Sequence, residues 1–126
     1  MTKGLRIVIV EDDGMIAMDL AELLMGMGHD ICAIAGNEDD AKVAAARWHP
    51  DLMIVDGSLG DGSGVAAMLG ILETGDVAHF YLTGNPWGVR ELAPDAIVVT
   101  KPSTMRDLER GIVSARQAAK QRLNAV

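Results

Sequence analysis

Cysteine is almost missing from this sequence: Cys32 is the only one in 126 residues. That excludes an intramolecular disulfide framework and any multi-cysteine zinc cluster, and it fits a reducing compartment, so a cytoplasmic protein is expected. Long apolar runs are missing too. The N-terminal run Leu5 to Val10 is cut off by Glu11-Asp12-Asp13, far short of a signal-peptide core with its cleavage site or of a spanning helix of roughly 20 residues. Neither secretion nor a membrane span is expected. Basic residues are few, 11 Lys and Arg against 18 Asp and Glu for a net charge of −7. The imbalance sits in residues 1–63, with 4 basic and 12 acidic side chains, whereas residues 64–126 carry 7 and 6. Nucleic acid is therefore not an expected partner, because phosphate neutralisation needs clustered Lys and Arg; cations or basic partner faces suit this surface better. Aromatic residues make up only 3% of the chain, although 49% of it is hydrophobic. A chain of this length buries about two-thirds of its unfolded surface and can hold one core without disulfides or a structural metal. Residues 1–126 are accordingly expected to form one domain, with no output domain attached.

Five β-α units follow one another. Leu5 to Val10 is a short β-branched run stopped by carboxylates, as expected of a strand covered on both faces. Ile16, Leu20, Leu23, Leu24 and Met27 then recur at helical spacing, with Gly28 as a stop. Ile31 to Ala35 reads as a second strand, and Asn37 can cap a helix that runs through Val43 and Ala46 to Trp48 before Pro50. Leu52 to Val55 is a third strand, and a glycine-rich loop, Gly57 to Gly64 with Asp61 in it, leads to a helix around Val65 to Leu72. Val77 to Thr83 is a fourth strand. In Asn85 to Ala93, Pro86 and Gly88, with Pro94 just beyond, leave a short or irregular helix at best. Ala96 to Thr100 is a fifth strand, and Met105, Leu108, Ile112, Ala115 and Ala119 form the stripe of a last helix, with Ser103 or Thr104 as its cap. The alternation points to an open five-stranded parallel sheet with helices on both faces. In such a sheet the site lies beyond the carboxyl ends of the strands where the order reverses, which for the order 2-1-3-4-5 is between strands one and three.

The polar residues fall at those ends. Strand one ends in Glu11-Asp12-Asp13, strand three in Asp56, strand four in Thr83 and strand five in Lys101-Pro102. If strands one and three are neighbours, Asp12 and Asp56 meet, and clustered carboxylates are tolerable only when a cation or protons offset them. A hard divalent ion such as Mg²⁺ suits an all-oxygen site, with Asp12 and Glu11 as ligands and Lys101 as a further positive charge. Such a site can accept a phosphoryl group. Asp56 is the expected nucleophile, and the Thr83 hydroxyl and Lys101 ammonium would bind the oxygens of the transferred group. Asp13 is expected to cap the first helix rather than to hold metal.

Ile9-Val10-Glu11-Asp12-Asp13, Ile54-Val55-Asp56-Gly57, Leu82-Thr83-Gly84 and Lys101-Pro102, in this order and each closing a strand, resemble the motifs of two-component response-regulator receiver domains. The resemblance spans the whole chain and implies the CheY-like, flavodoxin-type strand order. It implies a stand-alone response regulator that is phosphorylated at Asp56 by the phosphohistidine of a sensor histidine kinase or phosphotransfer protein. It also implies Mg²⁺ bound by Glu11, Asp12, Asp56 and the Ser58 backbone carbonyl, slow loss of phosphate to water, and an unidentified downstream protein target reached as a switch, relay or phosphate sink. Phe80-Tyr81-Leu82-Thr83-Gly84 resembles in part the FAT GUY receivers of alphaproteobacteria, which work with HWE-type kinases: Tyr81, Thr83 and Gly84 fit, while Ala78, His79, Leu82 and Asn85 do not. The aromatic residue that receivers usually place three positions before the lysine is replaced by Val98, and Ser103 stands where many carry Phe.

Two other readings compete. A haloacid-dehalogenase-like Mg²⁺-dependent phosphohydrolase also uses a strand-end Asp, but it expects a second Asp two residues on, where this chain has Ser58. A degenerate receiver that only binds a partner is disfavoured by the intact Asp12, Asp56, Thr83 and Lys101 set. Met15, Met18, Met25 and Met27 are expected to fill the core. Cys32 is expected to be a small buried hydrophobe. His29, His49 and His79 show no metal-ligand spacing, and Arg110, Arg116, Lys120 and Arg122 read as a solvated face. The glycine-rich loop lacks the spacing of a nucleotide cradle and reads as conformational freedom near the site.

Overall fold

The computed structural model describes residues 4–60 and 62–125; residues 1–3, Asp61 of the glycine-rich loop and residue 126 lie outside the described residues. The elements run β1 (Arg6–Val10), α1 (Gly14–Gly26), β2 (Asp30–Ala35), α2 (Glu38–Trp48), β3 (Leu52–Val55), β4 (Ser58–Leu59), β5 (Gly62–Ser63), α3 (Gly64–Leu72), β6 (His79–Thr83), α4 (Pro86–Leu92), β7 (Val98–Thr100) and α5 (Met105–Asn124). Five strands form one sheet in the order β2-β1-β3-β6-β7, and every pairing in it is parallel. This is the expected order, with β6 and β7 in the places of strands four and five. Within the glycine-rich loop, where no strand is expected, a two-residue antiparallel ladder sets Ser58 opposite Ser63 and Leu59 opposite Gly62.

Side chains alternate across the sheet, so each central strand feeds two cores. Ile7, Ile9, Leu52, Ile54, Phe80 and Leu82 pack with Ala17, Leu20, Ala21 and Leu24 of α1 and Leu108, Ile112 and Ala115 of α5. Val8, Val10, Met53, Val55 and Tyr81 pack with Ala41 and Ala44 of α2, Val65, Ala67, Met68 and Ile71 of α3, and Val89 of α4. Full burial of each such aliphatic side chain contributes roughly 1.5–3 kcal/mol, so both layers are needed to hold β1 and β3 side by side.

The caps follow the residue types. Asp13 accepts from the Met15 and Ile16 amides, Asn37 from the Asp40 amide, and the Thr104 hydroxyl, rather than Ser103, from the Asp107 amide, while the Asp107 carboxylate accepts from the Thr104 amide. Gly28 stops α1 at φ +96°, a conformation open to glycine at little cost. Arg6 ties β1 to the end of α2 by donating to the carbonyls of Trp48 and His49. Asn85 and Pro86 open α4, which has only seven residues.

Several expectations about faces are corrected. Ile16 and Met105 are exposed, because the buried faces of their helices run through Ala17, Leu20, Ala21 and Leu24 and through Leu108, Gly111, Ile112 and Ala115. Of the four methionines assigned to the core only Met27 is buried; Met15, Met18 and Met25 are exposed. Val43 and Ala46 likewise point outward from α2, where Ala41 and Ala44 make the contact. Cys32 is half-buried on the edge strand β2 and packs at the margin of the core. His29 is buried, with Nδ1 accepting from the Leu5 amide at 3.2 Å; His49 is exposed, and His79 is half-buried against the Val77 carbonyl. Among the described residues no helix is long and apolar enough to cross a membrane.

Candidate functional site beyond the carboxyl edge of the sheet

Parallel pairing puts the ends of β1 and β3 side by side, with Val10 in register with Val55, and this brings the next residues, Glu11 and Asp56, to the same edge. The Asp56 amide donates to the Val10 carbonyl at 2.8 Å and the Glu11 amide to the Ala35 carbonyl at 2.9 Å, so both backbones are held by the ladder up to the point where the carboxylates leave it. Glu11, Asp12 and Asp56 then offer carboxylate oxygens that all lie within 4.8 Å of one another. Glu11 is buried, Asp56 half-buried and Asp12 exposed.

Lys101, just past β7, crosses the crevice. Its Nζ lies 2.8 Å from Glu11 Oε1 and 3.2 Å from Asp56 Oδ2. Burial pulls this ammonium toward the neutral form, but the hydrogen bonds to Glu11 and Asp56 outweigh it and raise its pKa above the ordinary value. Burial pushes the Glu11 carboxyl up to about 6, opposed by the bond from Lys101 and reinforced by Asp56. Two of the three carboxylates thus share one ammonium, and the donor set of clustered hard oxygens fits a divalent cation. The Asp13 carboxylate caps α1 instead of joining the cluster, and the Asp13 amide donates to Glu11 Oε2 at 3.3 Å.

Thr83, at the end of β6, is 3% exposed, and its hydroxyl accepts from the Asn85 amide at 3.1 Å. Ser58 donates its amide to Asp56 Oδ1 at 3.0 Å, so its peptide adjoins the Asp56 carboxylate. The five strand-end residues expected at the site, Glu11, Asp12, Asp56, Thr83 and Lys101, thereby stand at one edge of the sheet, with Ser58 in the turn beside them.

The glycines of the loop are a correction to the reading of conformational freedom. Only Gly60 has a positive φ, +58°, and a Cβ there would sit 3.5 Å from Asp12 Oδ2. At Gly57 a Cβ would meet Val89 Cγ2 at 2.5 Å and Thr83 Oγ1 at 3.4 Å, and at Gly64 it would overlap the Asp56 carbonyl. Glycine is needed here for close approach. Gly57 directly follows Asp56, and the side chain that forbids a Cβ there comes from α4.

A small doubly wound domain whose acidic crevice lies beyond the carboxyl edge of its sheet, bridged by one lysine, is the class that fold and site define. No protein-family model matches the sequence. The chain is 35% identical over 101 residues to the phyllosphere-induced regulator PhyR of Methylorubrum extorquens, an alignment covering 77% of this chain and 38% of that protein. The solution structure of the PhyR response regulator receiver domain of Erythrobacter litoralis matches with a TM-score of 0.77 at 33% identity, covering 90% of both chains. The anti-anti-sigma factor PhyR of Bartonella quintana matches with a TM-score of 0.79 at 25% identity over 99% of this chain and 52% of its own. The chain belongs to the response-regulator receiver domains of CheY-like fold, within the PhyR-like group. It spans about two fifths of the length of the curated PhyR that it matches.

Proposed function

We propose that Asp56 is the phosphoryl acceptor of a two-component signalling switch. The observation that carries this reading is the Lys101 ammonium, 3.2 Å from Asp56 Oδ2 and 2.8 Å from Glu11, inside a cluster of three carboxylates. An Asp56 oxygen attacks the phosphorus of a phosphohistidine on a sensor kinase, of the HWE type or another, or on a phosphotransfer protein. The new P–O bond forms as the P–N bond breaks, and the imidazole leaves with a proton. Lys101 moves from the carboxylates to a phosphoryl oxygen, and the Thr83 hydroxyl donates to another; both place positive charge where negative charge gathers. Glu11, Asp12, Asp56 and the Ser58 carbonyl would hold Mg²⁺, which supplies further positive charge to offset the incoming phosphoryl oxygens.

The protein works as a switch rather than as a turnover enzyme, in the cytoplasm, and its output is a phosphorylation-dependent contact with another protein. The description of the Bartonella relative as an anti-anti-sigma factor supports a protein target. Incubation with Mg²⁺ and phosphoramidate, followed by intact mass and hydroxylamine treatment, tests the reading. One hydroxylamine-labile phosphoryl adduct that Asp56→Asn abolishes is expected. No adduct from phosphoramidate or from a cognate kinase, or the same adduct in Asp56→Asn, refutes it, and sustained turnover of a phosphate ester would support the phosphohydrolase instead.

A further inference from the structure

Receivers that signal through an aromatic residue on the last strand need a ring that can change position; here Val98 occupies that place, half-buried and paired with Tyr81 across β6 and β7. A different path is built around Gly57. This residue follows the acceptor, its carbonyl accepts from the Gly64 amide at 3.1 Å, and the next amide is held on Asp56 Oδ1. Its peptide is therefore fixed on the loop side. On the other side it touches α4, since a methyl group at Gly57 would lie only 2.5 Å from Val89 Cγ2.

A helix of seven residues has little stability of its own, and its position is set by what it packs on. Val89 is the buried residue of α4, 3% exposed, whereas Trp87 is 79% exposed and Leu92 62%. Two attachments hold this helix near the site: Val89 seated on Gly57, and the capping Asn85, whose amide donates to Thr83 Oγ1. Gly57 directly follows Asp56, and Thr83 closes the strand paired with the one that ends before Asp56.

We propose that Val89 is a positioning residue that seats α4 on Gly57, so that loading of Asp56 moves α4 and its exposed Trp87 without an aromatic residue at position 98. This rests on Asp56 being the phosphoryl acceptor. A shift of the Asp56 turn moves the Gly57 Cα against a rigid, branched side chain with no free space, and the helix follows.

The test uses the full chain carrying Trp48→Phe, which leaves Trp87 as the only tryptophan. Asp56 is loaded with phosphoramidate and Mg²⁺; intact mass reads the loading and Trp87 emission reads α4. Loading is expected to change Trp87 emission in this parent, and Val89→Ala is expected to load but lose at least half of that change. Gly57→Ala pushes a methyl into Val89 and is expected to slow loading about tenfold, since misplacing a reacting group by an ångström costs up to ~10²-fold. Combining Gly57→Ala with Val89→Ala removes that clash and is expected to recover most of the lost rate, a rescue that a merely destabilised fold would not give. Full retention of the Trp87 response in Val89→Ala, a loaded parent with unmoved emission, or a double variant as slow as Gly57→Ala overturns the coupling alone. A parent that takes no adduct from phosphoramidate or from a cognate kinase overturns the acceptor reading and the coupling with it.

Discussion

Replacing Lys101 with Met takes away the ammonium that holds the carboxylates of the crevice together. Its Nζ sits 2.8 Å from Glu11 and 3.2 Å from Asp56. At about 3 Å and an effective dielectric of roughly 20, each such pair attracts by about 5.5 kcal/mol before desolvation is charged against it. Desolvation returns much of that, yet removing one partner of a buried pair still costs about 3–5 kcal/mol, because the other partner stays buried and alone. The Lys101 side chain is 27% exposed, so water can relax around the remaining carboxylates, and a loss of about 2 kcal/mol is expected in EDTA near neutral pH. For a domain of this size that lowers the thermal midpoint by about 8 °C. Millimolar Mg²⁺ should then stabilise the variant more than the parent, because ammonium and divalent cation compete for the same oxygens and a ligand stabilises in proportion to its affinity. Urea and thermal unfolding of both proteins, with EDTA and with Mg²⁺, give the four midpoints. A variant as stable as the parent in EDTA, or equal gains from Mg²⁺ in both, would refute this account of the crevice.

Three further outcomes are expected. Burial pushes the phenol of Tyr81 up to about 12 from 10.0; the unfolded chain therefore loses its proton first, and stability falls as pH rises above 10. Because the chain has a single tyrosine, phenolate absorbance reads this directly, and a midpoint near the ordinary value with native circular dichroism would contradict it. Gly111→Ala in α5 would place a methyl 2.9 Å from Val99 Cγ2 and 3.1 Å from the Phe80 ring, whereas Gly26→Ala in α1 meets nothing within 4 Å. Opposite signs are expected in urea unfolding: overpacking exceeds the helix-propensity gain and costs Gly111→Ala about 1 kcal/mol, while Gly26→Ala gains about 0.5–1 kcal/mol. Asn37→Ala removes the acceptor of the Asp40 amide at the start of α2 and should cost about 1 kcal/mol in the same assay; a loss within error would show that the acidic first turn holds the helix end without it.

Much of the site was legible because a parallel sheet turns strand ends into coordinates. Glu11, Asp56, Thr83 and Lys101 each close or follow a strand, and strand order alone decides which of them meet. Helix faces were harder. In α1 the pattern of large apolar residues selects Ile16, Leu20, Leu23, Leu24 and Met27, but the helix turns Ala17 and Ala21 to the sheet and leaves Ile16 at 43% exposure. Close packing favours small residues at the contact, and a count of hydrophobic side chains gives alanine too little weight against isoleucine and methionine. Leu20, Leu24 and Met27 keep their places in the core and Leu23 packs at its margin, so the stripe loses only Ile16, while Met15, Met18 and Met25 lie off it and stay outside.

The loop between β3 and α3 shows a different limit. A glycine in a sequence has two physical meanings, a backbone angle that other residues avoid or a space that no Cβ can enter, and the letter is the same for both. Gly60 is the first kind, with φ +58°. Gly57 and Gly64 are the second, pressed against Val89 and the Asp56 carbonyl. The second meaning depends on atoms that arrive from elsewhere in the chain, 32 positions away in the case of Val89, so no local pattern can reveal it. A cluster of side chains at strand ends is therefore readable early, whereas a close approach that depends on a missing side chain becomes visible only when the surfaces on both sides of it are known.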